Sequence, residues 1–218
     1  MKKIITVQHP QSEQHTNGMI GSLGDWDLTE YGIAQAHRIG QNLLREIGDE
    51  PHVLYSSDLR RTKHTAEILS SYLHIKPQFS PLLREFDLGE ANGKTKQWAK
   101  ENNTCPVWPG TKDWAETVDE RVFVNAETKR EVALRVAEFM EKVVTPTKEN
   151  IIIVSHDGTL SIFFALWLGM DIEMLNRCNL SGKSGGVSGK SGGVSILFED
   201  AAGHRIVSRL NDMSFIQL

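Results

Sequence analysis

Four side chains of this 218-residue chain have the types that phosphoryl chemistry needs: His9, Arg61, Glu85 and His156. An unprotonated imidazole nitrogen can attack phosphorus, and a hydrogen bond to the other ring nitrogen holds the tautomer and aims the ring. His9 suits that role. A guanidinium grips two phosphoryl oxygens through parallel N–H bonds and opposes the charge that develops in transfer, which makes Arg61 a candidate phosphate ligand. His156 can donate a further bond to the same group. Glu85, within LREFDLGE over 83–90, can protonate a departing alkoxide and later activate water. Each residue also has a plain structural reading: a histidine that finishes a strand, an arginine beside Arg60 on a solvated helix face, a glutamate in the neighbourhood of Arg84.

Only an alternation of strands and helices can bring such distant residues together. KKIITV has strand character, and LTEYGIAQAHRIGQNLLREI carries Ile33, Ala36, Ile39, Leu43 and Ile47 at helical spacing, with Thr29 as its N-cap. HVLYSS reads as a second strand and LRRTKHTAEILSSYLH as a second helix, with Asp58 available to cap it. KPQFS is a weaker strand. ETKREVALRVAEFMEKVV is amphipathic, with Val132, Val136, Phe139 and Val143 on one face, and the continuous apolar NIIIVS predicts a strand buried on both sides. This order predicts an α/β three-layer sandwich on a mostly parallel sheet, in which ligands bind outside the carboxyl ends of the strands. His9, Ser57 with Asp58, and His156 each close a strand, so three strand ends deliver polar residues to one edge.

Composition narrows the partners. With 39% apolar and 24% charged residues and a net charge of −4, nothing favours nucleic acid or an anionic membrane, and a small molecule is the expected partner. The apolar run IITV is too short for a secretory core and IFFALWLGM over 162–170 too short to span a bilayer, so a cytoplasmic protein with a buried helix is expected. Cys105 and Cys178 lack ligand spacing and read as free thiols, with no metal site. The tandem SGKSGGV over 181–194 fails the phosphate-loop pattern on glycine spacing and precedes a strand; it reads as a duplication in a mobile surface loop.

Taken in order, the motifs resemble the histidine phosphatase superfamily, the phosphoglycerate-mutase-like fold. Gln8-His9-Pro10-Gln11-Ser12 is similar to the family's opening Arg-His-Gly and its next two residues, LTEYGIAQA to LTxxGxxQA, and SSDLRRTKHTA to the stretch holding its phosphate-binding arginine, at Arg61. LREFDLGEANGKT resembles the stretch with the family's proton donor, at Glu85; VSHDG resembles V-S-H-G-G, at His156; RLNDMSFI resembles the closing strand. The resemblance implies a single domain over 1–218, a last strand running against the others, and a lid-like insertion at about 96–125, where Trp98, Trp108 and Trp114 form either a lid or a small satellite core. It also implies a phosphomonoesterase acting through phosphohistidine on a small phosphorylated metabolite, without metal or cofactor. The alternatives are a weakened phospholigand-binding protein and a mutase-type phosphotransferase.

Three residues depart from the pattern. Gln8 replaces an arginine, as in a variant group opening with Gln-His, and the loss of one charged donor costs roughly 3 kcal/mol unless compensated. His15, protonated, is the candidate to restore that charge and bind substrate beside Gln8. Pro10 removes an N–H and biases His9 toward an extended conformation. Asp157, where glycine is usual, is expected to cap the following helix, with proton donation as its rival role.

Overall fold

β1 (Lys2–Gln8) and β4 (Asn150–Ser155) lie side by side and parallel at the middle of the sheet, and both are apolar at successive positions because helices cover both faces. The computed structural model describes residues 1–102, 118–176, 180 and 191–217. β2 (His52–Ser56) pairs parallel with β4, and the short β3 (Pro77–Phe79) forms that edge, a position that tolerates proline. On the other side of β1 come β5 (Val194–Glu199) and β6 (Arg205–Asp212).

The direction of the last strands corrects one expectation. It is β5, not the final strand, that runs against the others: it is antiparallel to β1, and β6 is antiparallel to β5. A short turn, with Gly203 N bonded to Asp200 O, joins β5 to β6, and such a hairpin must reverse the chain. β6 therefore points the same way as the parallel strands.

Helices α1 (Glu30–Ile47) and α2 (Arg60–Leu73) cover one face; α4 (Lys129–Phe139) and α5 (Asp157–Trp167) cover the other, and the shorter α3 (Lys96–Asn102) stands outside both layers. Alternation along the strands divides the core. Ile5, Val7, Ile152 and Val154 pack on Ile39, Leu43, Ala66 and Leu69, whereas Ile4, Ile151 and Ile153 pack on Val132, Val136, Phe139 and Phe163. Each such aliphatic side chain contributes roughly 1.5–3 kcal/mol by leaving water. The core thus fixes the strand ends on which the polar residues stand. Among the described residues no helix is long and apolar enough to cross a membrane.

Caps and close approaches set the loops around those ends. Thr29 caps α1, accepting from Gly32 N at 3.0 Å, as its sequence position predicts. Gly32 itself must be glycine, because a Cβ there would stand 1.9 Å from the Gln11 carbonyl oxygen. That contact, with Gln11 N bonded to Gln35 Oε1 at 3.1 Å, pins the loop after His9 to α1. Asp58 does not cap α2: its carboxylate binds Arg84 through bonds of 2.7 and 2.6 Å, and Asp25 from a distant loop accepts from Arg60 N instead. A bidentate guanidinium outcompetes one amide for the same carboxylate.

Candidate active site

At the carboxyl end of β1 the His9 ring is 4% exposed and held by two bonds. Nδ1 donates to the Pro10 carbonyl at 2.8 Å, and Nε2 accepts from Arg61 Nε at 3.2 Å. A carbonyl only accepts and a guanidinium only donates, so the ring is the neutral tautomer with its lone pair on Nε2. This is the form that can attack phosphorus. The proline that replaces a glycine thus supplies the acceptor that sets the tautomer.

Arg61, near the start of α2, is 1% exposed, and its remaining anchors are main-chain carbonyls: Nη1 donates to Gly24 at 2.9 Å and Nη2 to Ser22 at 2.7 Å. Burial brings its pKa down to about 10, against the opposing pull of Glu85 and Asp25, and it stays charged at neutral pH. Ser22, in left-handed conformation, also accepts from Leu88 N at 3.0 Å through its hydroxyl, tying this loop to the Glu85 segment. Neither Ser22 nor Gly24 carried a sequence signal, since a main-chain acceptor has no residue type to read.

His156 closes β4 and is fully buried. Its ring meets His9 edge-on with centroids 5.1 Å apart, and its Nε2 lies 2.9 Å from Ser57 Oγ. Nδ1 is buried without a hydrogen-bond partner among the described residues. Burial, then the charge of Arg61, pushes its pKa well below the usual histidine value. A buried unpaired ring nitrogen beside a buried guanidinium is suited to an anion that supplies the missing oxygen.

Glu85 lies at the N-terminus of α5. Its carboxylate accepts from Gly158 N and Thr159 N, both at 3.2 Å, and from Phe86 N at 3.1 Å, while the Thr159 hydroxyl donates to the neighbouring Arg84 carbonyl at 2.6 Å. Gly158 permits the approach, since a Cβ there would come within 2.8 Å of Glu85 Oε1. The expected cap by Asp157 is corrected: His156 occupies the N-cap position, Asp157 is the first helical residue, and the amides that need an acceptor are taken by Glu85.

His15 stacks on His9 with ring centroids 5.7 Å apart and 11° between planes. Its Nδ1 accepts from Ser12 N at 3.0 Å, so that nitrogen carries no proton. The expected imidazolium is therefore replaced here by a neutral ring with its proton on Nε2. Gln8 points to the other side of β1, where it lines a small cleft with Asp157, Gly193, Ser195 and Asn211. The structure thus gathers His9, His15, Arg61 and His156 into direct contact, sets Glu85 within electrostatic reach of Arg61, and leaves Gln8 apart.

The sequence pattern of the histidine phosphatase superfamily (branch 1) matches residues 4–188. The chain belongs to the histidine phosphatase superfamily. Two Hydrogenobacter thermophilus proteins with phosphoserine phosphatase in their names are each 30% identical to it. One matches over 187 residues, 86% of this chain and 88% of its own length; the other over 174 residues, 79% of each. Among solved structures, a mycobacterial glucosyl-3-phosphoglycerate phosphatase superposes with a TM-score of 0.78 at 19% identity, covering 97% of this chain and all of that one. That likeness is one of fold. Membership makes this histidine phosphatase a hydrolase of phosphomonoesters, in agreement with the residues gathered at its strand ends. Among the described residues no cluster of three or more histidine, cysteine or acidic side chains is arranged to hold a metal ion.

Proposed function

We propose that this histidine phosphatase hydrolyses a small phosphomonoester through a phosphohistidine formed at His9. The supporting observation is the Nε2 lone pair of a buried, tautomer-fixed imidazole, 3.2 Å from a buried guanidinium. When the phosphoryl group enters, the Arg61 Nε–H moves to a phosphoryl oxygen and the lone pair attacks phosphorus. The ester P–O bond breaks, and Glu85 protonates the departing alkoxide. Water then attacks the phosphohistidine while Glu85 takes its proton, the N–P bond breaks, and inorganic phosphate leaves. The Nδ1–H of His156 donates to a second phosphoryl oxygen if Ser57 donates to Nε2. His15 Nε2–H serves the same group as a neutral donor, while the Gln8 amide stays on the other side of β1.

On the same reading the chain is one domain. Where a lid or a satellite core was expected, Ala99 of α3 and Phe123 form a satellite core with Ile20 and Ala91, and Trp98 packs against it. Residues 103–117, with Trp108, Trp114 and Cys105, lie outside the described residues, as do Cys178 and residues 181–190 of the SGKSGGV repeat. The end of that repeat, 191–194, is not a surface loop but is buried and leads into β5, with Gly193 O accepting from Gln8 N at 3.0 Å.

The test is turnover of a phosphomonoester panel in EDTA, led by phosphoserine because two relatives carry that name. Acid-labile, base-stable phosphoenzyme should appear on rapid quench, and both it and turnover should vanish in His9→Ala. Turnover that survives His9→Ala, or that requires a divalent metal, overturns the reading. Phosphate binding without turnover points instead to the binding protein, and phosphoryl transfer to a second acceptor to the mutase class.

A further inference from the structure

Arg135, on α4, has no place in the reaction just described, yet all five of its guanidinium N–H groups are committed. Nε donates to Glu127 Oε1 at 2.8 Å and Nη2 to Glu127 Oε2 at 3.0 Å. The rest go to main-chain carbonyls of one short segment: Nη1 to Leu82 at 3.0 Å and Arg84 at 2.8 Å, and Nη2 to Glu85 at 3.0 Å. Glu127 then grips the far end of that segment, accepting from Asp87 N at 2.8 Å while its own N–H donates to Asp87 O at 2.7 Å. The pair is mostly buried, with side-chain exposures of 15% and 24%. Residues 84–88 carry no regular secondary structure between two short helical turns, Pro81–Leu83 and Gly89–Ala91, so these bonds replace the ladder or helix that would otherwise hold the backbone.

We infer that the Arg135–Glu127 pair is a positioning device for the acid, clamping the main chain of 82–87 so that the Glu85 carboxylate stands at the N-terminus of α5 beside the reacting group. The inference rests on the reading of Glu85 as proton donor. Its geometry is specific. The tie points at Leu82, Arg84 and Asp87 flank Glu85, and a fourth bond reaches the Glu85 carbonyl itself, so the side chain has a fixed origin. Glu85 then completes its placement through the amides of Gly158 and Thr159. A clamp that served stability alone would have no reason to converge on the residue bearing the acid. Lysine cannot replace the arginine here, since a single ammonium cannot span a carboxylate and three carbonyls.

In phosphoenzyme formation a misplaced acid harms esters with poor leaving groups and spares those whose leaving group departs without a proton. Hydrolysis of the phosphohistidine, where Glu85 acts as base, is common to all esters, so the comparison is made on kcat/KM, which reports the first step alone. Arg135→Lys and Glu127→Gln are therefore compared with Glu85→Gln on phosphoserine and on p-nitrophenyl phosphate, with folding checked by circular dichroism. Arg135→Lys should lower kcat/KM on phosphoserine about 30-fold, within the range for general acid catalysis, and change it less than about threefold on the aryl ester. Glu85→Gln should do the same more strongly, and the double variant should be no slower than Glu85→Gln alone. Equal losses on both esters, full additivity in the double variant, or failure of both clamp variants to fold would overturn the clamp. If Glu85→Gln discriminates between the esters and Arg135→Lys does not, only this inference falls. If Glu85→Gln itself fails to discriminate, the proton-donor reading falls and takes the clamp with it.

Discussion

The two sides of the candidate site are built by different means. The histidine side stands on strand ends: His9 after β1 and His156 after β4 are fixed by paired strands with both faces buried, and Arg61 is fixed by the helix that packs on them. The acid side stands on an irregular segment whose place depends on side chains from elsewhere: Arg135 and Glu127 near α4, Ser22 from a far loop, and Thr159 on α5. A core-anchored group resists small changes nearby, whereas a group placed by a few polar bonds shifts when one of them is lost. Perturbations should therefore divide into those that disable the phosphate ligands outright and those that only misplace the acid.

The largest effect is expected at Arg61. Lysine there keeps a charge but loses the bonds to the Ser22 and Gly24 carbonyls and to His9, and kcat/KM should fall about 10²- to 10³-fold on every ester alike. A loss confined to alkyl esters would blur the division between the two sides. Gly158→Ala attacks the acid side, because the new Cβ would press on Glu85 Oε1 and the Phe86 ring. About 10- to 100-fold should be lost from kcat/KM on phosphoserine, with kcat/KM on the nitrophenyl ester nearly unchanged.

Ser57→Ala removes the neighbour of His156 Nε2, worth about 1 kcal/mol, and should slow both esters roughly fivefold. An unchanged rate would mean that the His156 tautomer needs no such partner.

The smallest effect is on stability against pH. Burial is the first cause that holds both His156 and His52 below the usual 6.5 in the folded protein. Their unfolded values are higher, so the unfolded chain takes up protons first as pH falls, and stability present above 6.5 is lost below it. The slope is at most about 1.4 kcal/mol per pH unit for each histidine. Urea midpoints at pH 7.5 and 5.5 should record this drop, with a shallower one in His156→Asn; a flat profile would contradict the neutral, buried ring.

Much of this division reflects the limits of what a sequence can express. The continuous apolar runs of β1 and β4 and the helical spacing of α1 and α4 need no partner to be recognised, so the fold and the histidines at the strand ends were legible. The direction of β5, the partner of Asp58 and the cap of α5 were not, because each depends on which group from a distant part of the chain packs beside it. Pro10 was read through its missing N–H, and its carbonyl proved to be the part that matters to His9.

The sequence by itself determined the residue types that meet phosphate and the elements that carry them, since hydrophobic period and local capping are properties of neighbouring residues. Only the tertiary structure decided how those residues are held: the tautomer of His9, the neutral ring of His15, the commitment of Arg61 to two carbonyls, and the placement of Glu85. Those arrangements are hydrogen bonds between groups far apart in the chain, most of them with a main-chain partner, and a main-chain amide or carbonyl reads the same at every position until folding brings it to a side chain.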